Sequence, residues 1–209
     1  CCAEVIRKSC NLEKNSTEIS IFEATPQILQ MVSDKERKII SKRLEKLGVK
    51  IYENSQIEKI EPEGIKIKTS TGDQTGEGQF ISGDVIVWTA GIRANYFIES
   101  IGGLHLDQRN RVKVNNFLQA QDHPNIFAVG DNAVFIDPKT TKPIPGLAYV
   151  AIDEGKIIAE NITNHMNDKP LQSYKPKYDV WIAPVGGKYA VAHISKNFTV
   201  VGFLGKYPR

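Results

Sequence analysis

The spacing of apolar residues in the first third of the chain predicts a strand, a helix and a second strand. The helix follows a capping box formed by Ser33 and Glu36 and ends before Gly48. Its apolar residues recur at helical spacing, at Ile39, Ile40, Leu44 and Leu47. Strands are predicted on either side, at residues 18–24 and 49–52. This order of elements is the one that builds a parallel sheet.

Alternating apolar residues then predict two antiparallel strands, 56–60 and 65–69, joined by a turn at 61–64. The run 84–88 is almost continuously apolar, which is typical of a parallel strand covered on both faces. It stops at Thr89-Ala90-Gly91. Because ligands bind at the carboxyl ends of such strands, this point is a candidate binding position.

The second half of the chain is predicted to contain strands at 111–115 and 126–129 and a helix from about 147 to 164. The second of these strands ends at Gly130-Asp131, and the helix follows the segment Pro143-Ile144-Pro145-Gly146. Three further strands are predicted at residues 180–183, 188–193 and 198–203. The pattern therefore favours an α/β fold with a small β-rich unit at its carboxyl end.

Residues 1–8 have the pattern of a helix with no capping residue before them, and the first residue is not Met. We therefore expect the sequence to be the carboxyl-terminal part of a longer protein. The nearest imitation of a glycine-rich phosphate turn, Gly76-Glu77-Gly78, lies in a polar hairpin with no helix after it, and we reject it. If a phosphate turn opens the helix at 1–8, it precedes residue 1.

Composition and charge exclude several classes of function. The formal net charge is only +3 and the 27 Lys and Arg residues are dispersed, so a nucleic-acid partner is not expected. No stretch reaches the roughly 18 apolar residues of a membrane span. The three cysteines lie at one end, which favours a reducing compartment, and the four histidines lack zinc-ligand spacing, so we expect no metal.

Glu23 is a candidate ligand for a nucleotide because it ends the first predicted strand. A carboxylate at such a strand end can accept both hydroxyls of an adenosine ribose and repel a 2′-phosphate, which would favour NADH over NADPH. Acidic residues are also common at strand ends without any ligand. The glycine-rich turn that normally precedes such a residue is absent from the sequence.

A second candidate site lies at Gly130-Asp131 and the helix after it. Glycine permits close backbone approach, and an aspartate at a strand end can accept hydrogen bonds from a polyol or ribityl chain. The helix that begins near Leu147 offers free backbone N–H groups and a positive dipole end, which would stabilise negative charge on a reduced flavin. An ordinary turn and a plain surface helix would give the same local pattern.

Three motifs taken together resemble the type II NADH:quinone oxidoreductases, within the wider pyridine nucleotide-disulfide reductase superfamily. They are Ile86 to Arg93, Ile126 to Asp131, and Pro143-Ile144-Pro145 with Gly155-Lys156. The resemblance implies a Rossmann-like flavoprotein with two dinucleotide-binding domains, of which this chain is an incomplete part. It implies the remainder of an NAD-binding domain at 1–91, a returning FAD segment at 92–168 and the start of a carboxyl-terminal domain at 169–209.

The resemblance also implies roles for individual residues. Glu23 would hold the NADH ribose, Ala90 and Gly91 would line the nicotinamide path, and Gly130 and Asp131 would bind the FAD ribityl or phosphate region. Leu147 and Ala148 would face the flavin ring. The chemistry would need FAD and NAD but no catalytic side chain and no metal.

One part of the family pattern differs in this chain. The family reads the quinone partly through Ala-Gln-x-Ala-x-Gln-Gln-Gly, whereas residues 148–155 here place Tyr149, Asp153 and Glu154 at the three glutamine positions. Tyr149 and Glu154 are therefore candidate substrate-binding residues. The two carboxylates leave the identity of the electron acceptor open.

The leading hypothesis is that the parent protein passes a hydride from NADH to FAD and electrons on to a quinone, whereas the 209-residue chain alone is expected to be inactive. A flavin reductase with a non-quinone acceptor and a non-enzymatic NADH-sensing or redox-sensing flavoprotein are the alternatives. By resemblance, we expect a cytoplasmic protein, peripheral to the inner face of the cell membrane through further carboxyl-terminal residues. A homodimer is compatible with this hypothesis.

Overall fold

The computed structural model describes residues 9–11, 17–69, 78–195 and 198–203. The chain divides into two units, one formed by Cys1–Trp88 with Asp179–Arg209 and the other by Thr89–Tyr178. The helix predicted at residues 1–8 and the Gly76-Glu77 pair lie outside the described residues. The assignment of residues 1–91, 92–168 and 169–209 to three domains of a longer protein stays a prediction.

The first unit begins with the predicted strand, helix and strand. Strands β1 (Ile19–Phe22) and β2 (Val49–Tyr52) pair in parallel, with Ile19 opposite Val49. Between them lies helix α1 (Asp34–Lys46). The capping box is confirmed, since the Ser33 hydroxyl accepts from the Glu36 N–H and the Glu36 carboxylate accepts from the Ser33 N–H. Gly48 follows the helix with φ of 74°, a left-handed value suited to glycine.

A three-stranded antiparallel sheet follows in the same unit. Strands β3 (Ser55–Glu61) and β4 (Gly64–Thr69) form the predicted hairpin. Strand β5 (Gln79–Ser82), which the sequence pattern did not predict, pairs with β4. The inward-facing Ile65 and Ile67 of β4 are buried.

The prediction of a buried parallel strand at residues 84–88 is wrong for the described structure. These residues are outside every strand, and the side chains of Val85 and Trp88 are 75% and 57% exposed. A strand requires a neighbour for its backbone hydrogen bonds, and no described strand pairs with this run. The apolar side chains of this run are therefore exposed in the described structure.

The carboxyl-terminal strands of the first unit form a second antiparallel sheet, which confirms their prediction. They are β10 (Trp181–Pro184), β11 (Tyr189–Ser195) and β12 (Phe198–Phe203), in that order across the sheet. Val185, directly after β10, and Val191 of β11 are buried and share a hydrophobic cluster with Ile40 of α1. Burial of this apolar surface holds the sheet against the helix.

A polar contact joins the same two elements. The Glu36 side chain is 2% exposed, and its Oε1 accepts from His193 Nδ1 at 2.7 Å and from Thr199 Oγ1 at 2.8 Å. Its Oε2 accepts from the Ser33 N–H and hydroxyl at 3.0 and 2.6 Å. Burial by itself would raise the pKa of Glu36, but these hydrogen bonds outweigh it and hold the pKa at about 2.

The second unit is built from short strands and one long helix. Strand β6 (Val112–Lys113) pairs in parallel with β9 (Ala133–Val134), and β7 (Gln119–Ala120) pairs antiparallel with β8 (His123–Phe127). The remaining elements are α2 (Phe97–Ser100), a 3₁₀ turn (Gly130–Asn132) and α3 (Ala148–Met166). The prediction of α3 is confirmed.

The strands predicted at 111–115 and 126–129 need correction. The first is a two-residue strand at 112–113, and the second begins at His123 and ends at Phe127. Beyond Phe127 the chain stays extended, and the Ala128 N–H still donates to Leu118 O at 3.1 Å. The pairing ends there because the next residues enter the 3₁₀ turn at Gly130.

The core of the second unit lies under α3. Val150 of the helix packs with Val112, Leu118, Phe135 and Tyr174. Further along the helix the fully buried Asn161 binds two loop segments: its Nδ2 donates to Phe117 O and Gln172 O, and its Oδ1 accepts from the Gln172 N–H. These contacts fix the position of α3 within the unit. In the described part of the chain, no helix is long and apolar enough to cross a membrane.

Candidate functional site

A cavity of about 180 Å³ lies in the second unit, where the 3₁₀ turn meets the start of α3. Backbone from the turn, the segment before α3 and the first two turns of the helix surround it. Its lining includes two glycines, two carboxyl groups and two arginines: Gly130, Gly146, Asp131, Glu154, Arg109 and Arg111. The combination of open backbone and charged side chains makes it the leading candidate site.

The turn at Gly130 requires glycine for two reasons. Its φ is +58°, in the left-handed region, and a Cβ there would lie 3.2 Å from the Ala151 Cβ of α3. At Gly146, a Cβ would lie 3.1 Å from Asp131 Oδ1. Small residues on both sides of Asp131 thus leave room beside its carboxylate for a ligand to approach.

The amino end of α3 is directed to the same place. Leu147 is the N-cap and its side chain cannot cap the first turn, so no side-chain cap satisfies the backbone N–H groups there. Leu147, Val150 and Ala151 line the cavity. A first turn without a side-chain cap and the positive end of a 19-residue helix favour a ligand that carries or develops negative charge.

Glu154 is the buried carboxyl of the site. It is 3% exposed, lines the cavity, and its Oε2 accepts from the Gly130 N–H at 2.8 Å. Burial raises the pKa of Glu154; the hydrogen bond from Gly130 opposes this, and the negative charge of Asp153 adds to it. Glu154 therefore ties α3 to the 3₁₀ turn and favours the protonated form more than an ordinary glutamate does.

Tyr174 lies in the core beneath the helix. It packs edge-on against Phe135, with ring centroids 5.2 Å apart, and it is 3% exposed. Its hydroxyl has no hydrogen-bond partner among the described residues. Burial raises the pKa of Tyr174 above its ordinary range, and the negative charge of Glu154 is the next cause. The two groups therefore interact electrostatically.

Arg109 and Arg111 supply positive charge and were not predicted as site residues. Arg111 donates to Asp107 Oδ2 from Nε at 2.9 Å and from Nη2 at 2.7 Å, so its charge is partly balanced. Arg109 is exposed at the cavity. The sequence signal was two arginines within three residues where a predicted strand begins, and this signal by itself does not distinguish a site from a solvated loop.

The structure brings together most of the predicted residues of the second unit. Gly91, Gly130, Asp131, Leu147 and Glu154 all line the cavity. Ala90, Ala148 and Tyr149 neighbour these residues in the chain but do not line it, and Tyr149 is 42% exposed. Their roles stay predictions.

Glu23 belongs to the first unit, directly after β1. Its backbone continues the parallel pairing, since its N–H donates to Tyr52 O at 2.8 Å and its carbonyl accepts from the Ser55 N–H. Its Oε1 accepts from the Thr25 N–H and hydroxyl at 3.0 and 2.9 Å. Both bonds end on Oε1, so Oε2 keeps its capacity to accept from a ligand hydroxyl.

The residues of the cavity suit two parts of a flavin dinucleotide, its hydroxyl-bearing chain and its ring. A hydrogen-bond acceptor flanked by Gly130 and Gly146 suits a hydroxyl-bearing chain, and the helix end without a side-chain cap suits the part of the ring that becomes negative on reduction. At the other unit, Glu23 at the carboxyl end of a parallel strand suits the ribose of a pyridine nucleotide. The hydrogen-bonding groups of the described residues therefore agree with the cofactors expected from the sequence, FAD and NAD.

Comparison with known proteins gives a consistent result. Residues 2–155 match the family model described as pyridine nucleotide-disulphide oxidoreductase. The type II NADH:quinone oxidoreductase of Haemophilus influenzae is 27% identical over 94% of this chain and 41% of its own length. A protein of the same name from Staphylococcus epidermidis is 28% identical over 78% of this chain and 39% of its own length.

Solved structures show the same fold. Sulfide:quinone oxidoreductase from Aquifex aeolicus superposes with a TM-score of 0.71 at 16% identity, over 94% of this chain and 48% of that one. NDH2 from Plasmodium falciparum, solved with NADH, gives 0.65 at 15% identity, over 90% and 52%. The chain spans about two fifths of the length of the curated relatives it matches.

Proposed function

Because the chain belongs to the pyridine nucleotide-disulphide oxidoreductase family, we propose that its protein is an FAD-dependent NADH oxidoreductase that delivers electrons to a quinone. FAD and NAD(H) are the cofactors of this family. The observation that carries the proposal is the cavity in which the Gly130-Asp131 turn faces the amino end of α3, which has no side-chain cap.

The residues of this cavity have distinct tasks in the proposal. Asp131 accepts hydrogen bonds from the hydroxyls of the FAD ribityl chain, in the space that Gly146 leaves open. Leu147 and Ala148 begin the helix whose N–H groups stabilise negative charge. FAD, when bound, supplies the carrier that takes two electrons from NADH and releases them to the acceptor.

The pyridine nucleotide is held by other residues. Glu23 accepts the hydroxyls of the adenosine ribose and repels a 2′-phosphate, so NADH is preferred to NADPH. Ala90 and Gly91 line the path of the nicotinamide, and Gly91 reaches the cavity of the second unit. Positioning the donor in this way lowers the barrier for hydride transfer without an acid or base side chain.

The quinone acceptor rests on the names of the curated relatives and on Tyr149, which is exposed enough to stack on a ring. We further propose a cytoplasmic protein that contacts the inner face of the cell membrane, as access to a quinone would require, and that can form a homodimer. A second candidate acceptor is a protein or a soluble small molecule. Asp153 and Glu154 favour it, since the type II pattern has neutral amides at these two positions.

Steady-state oxidation of NADH by the protein in its native length tests the acceptor. Each acceptor, a soluble quinone or a ferredoxin-like protein, is supplied at equal concentration. Faster turnover with the quinone supports the proposal, whereas turnover with the protein acceptor alone assigns the second function. An FAD-containing protein that NADH reduces but that neither acceptor reoxidises would instead be a redox sensor.

A further inference from the structure

Two carboxyl groups line the cavity, those of Asp131 and Glu154, and only the Glu154 side chain is almost completely buried. At 3% exposure, a carboxylate retains about four acceptor positions, and the described residues fill one of them, with the Gly130 N–H. A buried carboxylate with one donor is poorly stabilised, because its lost hydration is not replaced. The uncharged acid needs fewer donors and is therefore easier to accommodate there.

The surroundings of Glu154 contain charges of both signs. Glu154 forms no ion pair with a described residue, whereas Arg111 pairs with Asp107 and Arg93 pairs with Glu99. Asp131, Arg109 and Arg111 line the same cavity, Asp153 and Tyr174 interact electrostatically with Glu154, and Tyr149 interacts electrostatically with Tyr174. Glu154 is the one whose carboxyl is both buried and in the cavity wall.

Any negative charge that accumulates in this cavity acts on Glu154 through a medium of low dielectric constant. Coulomb repulsion is several-fold stronger there than in water, so added charge drives a buried carboxylate toward its protonated form. The amino end of α3 and the two arginines attract such charge into the cavity. Because Glu154 lies in the wall of this cavity, negative charge on a ligand there favours protonation of Glu154.

We propose that Glu154 is a positioning and proton-holding residue that takes up one proton when the cofactor in the cavity is reduced and releases it when the cofactor is reoxidised. This inference rests on the proposed function. NADH delivers two electrons and one proton as hydride, Glu154 takes a second proton from solvent, and a quinone then receives two electrons and two protons. The sum is NADH, quinone and one proton giving NAD⁺ and quinol.

The dependence of the FAD midpoint potential on pH tests this directly. It is measured by electrochemical titration of the FAD-loaded protein in its native length, so neither NADH nor quinone is needed. With Glu154 titrating, reduction takes up two protons for each electron pair, and the potential falls roughly twice as steeply with pH as it does with one proton. The Glu154→Gln variant keeps an acceptor for the Gly130 N–H but cannot titrate, so its slope falls to that of one proton.

Glu160→Gln is the matched control, because Glu160 is an exposed glutamate on the same helix. It keeps the steep slope of the wild type. Infrared difference spectra of the wild type, reduced minus oxidised, give an independent measurement if Glu154→Gln does not fold: a protonated-carboxyl band is gained on reduction. Equal slopes in the wild type and Glu154→Gln, or no gain of this band, overturn the inference.

The two claims can fail separately. A shallow slope in a protein that reduces quinone with NADH overturns the role of Glu154 and leaves the proposed function intact. A steep slope that Glu154→Gln abolishes, in a protein that does not reduce quinone, supports the role of Glu154 and contradicts the quinone acceptor.

Discussion

At the residue scale, Glu36 and Glu154 are two buried glutamates whose acidities move in opposite directions. Four donors from Ser33, His193 and Thr199 surround the Glu36 carboxylate, and the pKa of Glu36 falls to about 2. Glu154 has one described donor, Gly130, and its pKa rises. The number of donors, rather than burial alone, decides which protonation state each site stabilises.

The acidity of Glu36 predicts how stability depends on pH. Its folded-state pKa lies below the unfolded value of 4.5, so its contribution is fully present above pH 4.5 and is lost as the pH falls through about 2. We expect Glu36→Gln to lower the free energy of unfolding at neutral pH by roughly 2–3 kcal/mol and to flatten its acid dependence. Denaturant unfolding at several pH values measures both effects.

The exposed Glu45 of the same helix provides the control for this experiment. Glu45→Gln should change the free energy of unfolding by less than about 0.5 kcal/mol. Equal effects of the two substitutions would show that the contacts of Glu36 with β11 and β12 do not stabilise the protein.

Glu23 predicts a preference between the two pyridine nucleotides. Glu23→Gln removes the charge that repels a 2′-phosphate and weakens the acceptor for the ribose hydroxyls. We expect the ratio of kcat/KM for NADH over NADPH to fall roughly tenfold, about the value of one charge-assisted hydrogen bond. Steady-state kinetics with both nucleotides give the ratio, and Glu58→Gln on the exposed face of β3 should leave it unchanged. An unchanged ratio in Glu23→Gln would remove Glu23 from the site.

The sequence predicted which residues could bind a ligand better than it predicted their burial and their neighbours. Asp131 and Leu147 could be identified because a strand end and a helix start are local features. The burial of Glu154 and the position of Arg109 at the cavity depend on how distant segments pack, which one sequence does not encode locally. For the same reason, the sequence shows that Glu154 replaces a glutamine of the family pattern but does not show that its side chain is buried.

At the element scale, the turn and the helix form one functional arrangement. The 3₁₀ turn presents Gly130 and Asp131, α3 presents an amino end without a side-chain cap, and the hydrogen bond from Gly130 to Glu154 connects the two. A change in the turn should therefore affect both stability and the binding of FAD.

Substitution of Gly130 tests this arrangement. Alanine in the left-handed conformation costs roughly 1–2 kcal/mol, and its Cβ would crowd Ala151. We expect Gly130→Ala to lower the free energy of unfolding by about that amount and to weaken retention of FAD in the native-length protein, as measured by denaturant unfolding and by flavin released on dilution.

Gly155 is a matched glycine within α3 with nothing within 4 Å of its Cβ position. Gly155→Ala should instead raise the free energy of unfolding by about 0.5–1 kcal/mol, because alanine is the better helix former. Destabilisation by both variants would mean that the left-handed turn is not the cause at Gly130.

The elements also show where local patterns suffice. The capping box, the helical period and Gly48 predicted α1 almost to the residue, since each signal acts within one turn of helix. The strand predicted at 84–88 was wrong because a strand is stabilised by neighbours distant in sequence, and the described part of the chain provides none. Strand β5 was not predicted for a related reason. Its four residues have no clear apolar alternation, and pairing with β4 is what makes them a strand.

At the scale of the whole molecule, the family match extends over residues 2–155, and the fold agrees with solved structures that the chain resembles at 15–16% identity. The exposed apolar run from Val85 to Trp88 is consistent with a chain that spans about two fifths of its curated relatives.

The central claim is that the protein carries FAD and that NADH reduces it. The most direct measurement is the visible absorbance of the FAD-loaded, native-length protein under anaerobic conditions while NADH is added in steps. We predict that the flavin band bleaches completely with one equivalent of NADH and returns when an electron acceptor is admitted. A protein whose bound flavin keeps its absorbance at excess NADH, or one that binds no flavin, would contradict the account.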